Sequence, residues 1–183
     1  MKKLKKPLRS KQKPYMTVLK IILVVLTLIY PLFMTILTGA GIVYNRSSYG
    51  SAITGHGISL IVSGIIISAA AFLCIFRKSF LNLIAPITSL IGSGVCMRAL
   101  FKLVSHADSA GWYGNGKYSA VPVSDMYKER VLPVLAVTLL TVVISAIQYF
   151  SYDACEERRA LKKYREDKEN APAPSIIGDE NDE

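Results

Sequence analysis

Four long stretches without a formal charge constrain this chain more than any other feature. Residues 21–45, 47–76, 79–97 and 131–152 contain no Asp, Glu, Lys or Arg. His56 lies in the second stretch and is neutral in its ordinary imidazole form. A helix needs about 20 apolar residues to cross the roughly 30 Å hydrocarbon core of a bilayer. Within that core the backbone must satisfy its own hydrogen bonds, which a helix does alone. The pattern predicts an all-α membrane protein, a bundle of four transmembrane helices. The spans are expected at about residues 17–38, 57–76, 80–104 and 131–150. Together they make a membrane domain over 17–152, preceded by a basic leader at 1–16. A charged helix at 153–169 and a disordered acidic tail at 170–183 follow it.

The net charge of +9 on 183 residues would point to nucleic acid in a soluble chain. Here the placement of the charge says more than its size. Sixteen of the 22 basic residues fall on one side of a four-span topology. They precede the first charge-free run from Lys2 to Lys20, form the Arg77-Lys78 turn, and follow the fourth span from Arg158 to Lys168. The positive-inside rule therefore puts both termini in the cytoplasm of a cell-membrane protein. Anionic headgroups at that face are the expected partners, at about 1 kcal/mol per basic residue near the surface. No stacking or groove-reading motif supports nucleic-acid binding.

A basic start before an apolar run also describes a secretory signal peptide, with Thr38-Gly39-Ala40 as its cleavage site. The run is about 20 residues, longer than a usual signal core, which favours a retained span. Pro31 within it should kink or loosen the helix. Residues 39–55 are rich in Gly and Ser and read as an outer loop. Residues 105–130 read as the longest loop, with Trp112, Tyr113 and Tyr118 suited to the headgroup level. Pro133 is expected in the first turn of span four, and the charged helix is expected to continue that span. The three cysteines, Cys74, Cys96 and Cys155, are odd in number and imply no disulfide framework.

Two seams of small residues mark the middle spans. Gly57, Gly64, Ser68 and Ala71 share one side of span two. Ala85, Ser89, Gly92, Cys96 and Ala99 share one side of span three. Small residues let membrane helices approach closely. The two seams are expected to face each other; the alternative is a second copy or a partner protein. At 100° per residue, Arg98 and Lys102 fall away from the span-three seam, above Ile84, Ile87, Ile91 and Val95. They are expected to snorkel to lipid phosphates.

Candidate chemistry is sparse. No Asp or Glu occurs before Asp108, and none within any span. Intramembrane carboxylates are the usual proton or cation relays of small transporters, so proton-coupled exchange of that kind is disfavoured. Thr138, Thr141, Ser145 and Gln148 form one polar stripe on span four. It reads as interhelical hydrogen bonding or, alternatively, as a solute pathway. His56, His106 and Asp108 fall at one level if spans two and three form a hairpin; two imidazoles and a carboxylate can hold Zn²⁺. No resident cofactor is expected. Three functions follow. The first is a non-enzymatic interaction or accessory subunit of a membrane complex, with a membrane-protein partner; self-association goes with the second. The second is a small homo-oligomeric channel or transporter using the span-four stripe. The third is an outer-face metalloenzyme on the two histidines.

Overall fold

The computed structural model describes residues 13–110 and 123–170. The aromatic loop around Trp112, most of the basic leader and the acidic tail from residue 171 lie outside the described residues. Within them the chain is helical throughout: α1 (Pro14–Thr27), a π-helical segment (Leu28–Thr35), α2 (Ile36–Tyr44), α3 (Arg46–Ile75), α4 (Ser79–Ser109), α5 (Val123–Phe150) and α6 (Tyr152–Glu169). Four helical stretches are long and apolar enough to cross a membrane: Pro14–Tyr44, Arg46–Ile75, Ser79–Ser109 and Tyr127–Phe150. The described residues fall into two compact units, 13–149 and 150–170.

The first stretch is one continuous helix of three parts. Pro31 has no N–H to donate, and its ring crowds the carbonyl four residues back. The chain answers by widening to π geometry over Leu28–Thr35 rather than breaking. Pro31 itself is buried, with its carbonyl against α3.

The helices run well beyond the charge-free blocks, and several expected loops are short. The Gly/Ser-rich segment at 39–55 is almost wholly helical. α2 ends at Tyr44, and α3 begins at Arg46 after the single non-helical residue Asn45. A second kink falls at Gly50, with φ 76° and ψ 170°, a conformation that glycine adopts at little cost. These two joints reverse the chain without a long loop. Likewise α4 continues to Ser109 and α5 starts at Val123, so the segment between them is shorter than 105–130. Pro133 consequently lies inside α5 rather than in its first turn. The charged helix does not continue α5. Ser151 is extended (ψ 147°) and caps α6, its Oγ accepting from the Ala154 N–H at 3.4 Å.

In the larger unit, α3 lies between the first helical stretch and α4. Gly64 meets the Pro31 carbonyl and Ile36, and Gly57 meets Ile42 and Gly39. The α3 glycines thus face the first stretch and not α4. Gly92 of α4 packs on Ile66 and Ile67 of α3 instead. The glycines of the two seams therefore do not meet each other. The reason is steric complementarity: each glycine is a hole, and each is filled by an isoleucine or a backbone carbonyl of the neighbour. Ser68, Ala71, Ala85, Ser89, Cys96 and Ala99 are buried as well.

α5 closes the unit against α3 and α4. Ser89 Oγ donates to Thr138 Oγ1 at 3.4 Å, and Phe101 meets the Tyr127 ring edge to face at 6.1 Å. These two pairs run in opposite directions along α4 and α5, so the helices are antiparallel. Outward faces are apolar: Val18, Ile21, Val25, Phe33 and Leu37 on the first stretch, Ile87, Leu90 and Ile91 on α4, Leu132 and Leu139 on α5. In water such a surface would aggregate; against acyl chains it carries no penalty.

Candidate functional site

Two places in the larger unit gather polar groups. One is a joint at the end where α3 finishes and α4 begins, the Arg77 end. The other is a cleft at the opposite end, near Asn45.

The joint is centred on Cys74, which is fully buried. Its thiol donates to the Thr141 carbonyl at 3.7 Å and accepts from Ser145 Oγ at 3.4 Å. Its carbonyl accepts from Gln148 Nε2 at 3.0 Å. One residue on, the Ile75 carbonyl accepts from Lys20 Nζ at 2.8 Å. The last carbonyls of a helix have no partner within it, and its C-terminal end carries about half a negative charge. Lys20 and Gln148 therefore cap α3 from two different helices. Lys20 is only 8% exposed and stands on the buried stripe Met16, Lys20, Leu23, Thr27.

Lys20 is therefore not one of the solvent-facing basic groups that precede the apolar run. Its signal was the 4-3-4 spacing of that stripe, which places it on the inward face. Asn82, also missed, is buried on the first turns of α4. Asn82 Oδ1 and Gln148 Oε1 are buried without a hydrogen-bond partner among the described residues. An unsatisfied buried acceptor costs about 1–3 kcal/mol. Asn82→Leu is accordingly expected to raise the midpoint of thermal unfolding in detergent, by the equivalent of about 1 kcal/mol. A fall of similar size, followed by circular dichroism, would show that Oδ1 has a partner worth keeping.

The polar stripe of α5 is absorbed by this architecture. Thr138, Thr141 and Ser145 are buried, and Gln148 is half-buried. Besides the bonds above, Thr141 Oγ1 donates back to the Val137 carbonyl at 2.8 Å. The stripe lies along the packed joints with α3 and α4.

The cleft comprises two cavities of about 190 Å³ each. Tyr30, Met34, Thr35, Thr38, Leu100, Glu129 and Arg130 line the inner one. The outer one shares Thr38, Leu100 and Arg130 and adds chiefly aliphatic side chains, with Tyr49 and His106 at its polar edge. The π segment supplies Tyr30, Met34 and Thr35 to the inner wall. Arg130, half-buried, borders both cavities; nothing in the sequence distinguished it from the other basic residues at this end.

The remaining sequence candidates are dispersed. Arg98 and Lys102 are exposed on α4, on the face that carries Ile87 and Ile91. His56 is half-buried at the start of the apolar part of α3, His106 lines the outer cavity, and Asp108 is exposed. Among the described residues no three His, Cys, Asp or Glu side chains stand close enough to hold a metal ion. His56, His106 and Asp108 are therefore not assembled into a ligand set: α4 carries Asp108 outward while His106 turns into the bundle. In the second unit, Arg158 Nη2 donates to Cys155 Sγ at 3.1 Å. A hydrogen bond to the Glu156 carboxylate holds the Tyr152 phenol above its ordinary pKa. No family model, no curated protein and no solved structure matches the chain.

Proposed function

We propose that this chain is a multi-pass protein of the cell membrane, with both termini cytoplasmic, acting as a non-enzymatic interaction or accessory subunit. The observation that carries this reading is the use made of the α5 stripe. Thr141 and Ser145 are engaged in packing, and Thr138 is tied to Ser89. Such bonds contribute about 0.6 kcal/mol each in membrane helices. They serve adhesion and register, which supports a packing role for the stripe over a solute pathway. The spans also lack the carboxylates on which ion-coupled transport usually rests. What remains available to partners is the apolar outer surface, the exposed basic groups Arg98 and Lys102, and the charged helix α6. On α6, Lys162 and Glu166 pair at 3.8 Å and are both exposed, so their charges stay accessible.

The reading predicts the state of the chain in its own membrane. Extracted in mild detergent and weighed by light scattering, it is expected in a complex with a second membrane protein at fixed stoichiometry. A lone monomer would overturn the proposal. A homo-oligomer with no second protein would overturn it in favour of the channel reading.

A further inference from the structure

We propose that the cleft near Asn45 is a binding site for a phospholipid with a primary amine in its headgroup, a phosphoethanolamine-type lipid. Three observations lead to it. First, the inner cavity is lined by two opposite charges, Glu129 and Arg130, consecutive on α5. Neighbours on a helix point about 100° apart and do not face each other. Among the described residues neither side chain makes an ion pair or a hydrogen bond. A cavity wall with a separated cation and anion is complementary to a ligand carrying a separated anion and cation.

Second, the depth is right. Arg130 immediately precedes the charge-free run that opens at Val131, which places it where hydrocarbon gives way to headgroups. Tyr30 and Met34 of the inner cavity belong to the apolar middle of the first stretch. A chain laid along them would run into the hydrocarbon layer while its phosphate stayed at Arg130. Third, the π segment supplies Tyr30, Met34 and Thr35 to the cavity wall, and such bulges recur at functional sites.

The headgroup chemistry then divides between the two residues. The guanidinium donates to phosphate oxygens in the fork geometry it favours. The carboxylate of Glu129 accepts from the ammonium N–H groups. A quaternary amine has no N–H to donate, and a glycerol headgroup has no positive charge. The site therefore ranks the primary amine above both. Arg98 and Lys102 face outward elsewhere on α4 and have no part in that ranking.

The test uses the full-length protein, delipidated in detergent and titrated with lipids of identical chains by native mass spectrometry. Phosphatidylethanolamine is expected to bind about tenfold more tightly than phosphatidylcholine or phosphatidylglycerol, the equivalent of one charge-assisted hydrogen bond. Glu129→Gln should abolish that preference, weakening phosphatidylethanolamine more than phosphatidylcholine because only the primary amine loses hydrogen bonds to the carboxylate. Arg130→Gln should weaken all three lipids. Thr38→Trp, which alters no charge, should block binding by filling the wall shared by both cavities. The unfolding midpoint of each variant shows that it remains folded. Equal affinity for the three lipids, or a preference untouched by Glu129→Gln, would refute the assignment. So would displacement by inorganic phosphate alone, which would mark a simple anion site, or stronger binding of oleate, which would mark a fatty-acid site.

Discussion

Gly64→Leu is expected to separate the first helical stretch from α3 and to lower stability in detergent by about 1–3 kcal/mol or more. A Cβ built at Gly64 falls 2.7 Å from the Pro31 carbonyl oxygen and 2.9 Å from Ile36 Cγ1. The side chain of Ile36 could turn away, but the carbonyl cannot. It is part of the π segment, and its position is set by the residue that cannot donate a hydrogen bond. Gly94→Leu makes the matching control. It lies on another of the four membrane-length stretches, and a Cβ there meets nothing within 4 Å. Both changes gain the same intrinsic helix preference, up to about 1 kcal/mol. The difference between their unfolding midpoints therefore reports the steric term alone. Equal midpoints would mean that the first stretch does not rest on α3 as described. Gly39 belongs to the same contact, with a built Cβ 2.6 Å from the Gly57 carbonyl oxygen. Substitutions at Gly39 and Gly64 should be less than additive, since either one already parts the two helices.

Lys20→Glu is expected to be at least as damaging, at roughly 3–5 kcal/mol, the usual cost of an uncompensated buried charge. The ammonium of Lys20 is held against the Ile75 carbonyl at the negative end of α3. A carboxylate at that place would face an acceptor with no proton to offer. Lys78→Glu is the control, because Lys78 is exposed just before α4. Both variants change the charge of the same end of the unit by two, so any effect of charge balance on membrane insertion is common to them. Only the buried cap differs. If the two variants unfold at the same midpoint, Lys20 is a topology signal and nothing more. Lys20→Met separates the remaining contributions: it keeps most of the apolar stem and removes the donor. It should fall between wild type and Lys20→Glu, by about 1–3 kcal/mol.

The fold class was legible because it rests on composition over length. Four charge-free runs of sufficient length admit few structures in lipid, and no tertiary detail alters that. The polar stripe on α5 and the small seams were legible for a related reason. Helical periodicity places residues on one side of a helix whatever the helix packs against. What periodicity cannot supply is the identity of the neighbour. Gly57 and Gly64 share a seam, and Gly92 lies on another, yet the glycines of α3 meet Pro31, Ile36 and Ile42. That choice depends on which helix offers a knob for each hole. The loops were overestimated because Gly and Ser at 39–55 are turn formers in water. Here two joints, at Asn45 and Gly50, suffice.

By itself, then, the sequence determined the all-helical class, the four membrane-length segments and which residues share a helical face. Those properties follow from hydrophobic length and from a period of 3.6, both local along the chain. The tertiary structure alone decided that Lys20 caps α3, that Cys74 is the hub between α3 and α5, and that Glu129 and Arg130 line one cavity with the π segment. Each of these joins residues roughly 55 to 100 positions apart. Their proximity is set by the packing of side chains across helices, and packing is a property of surfaces that only the folded chain brings together.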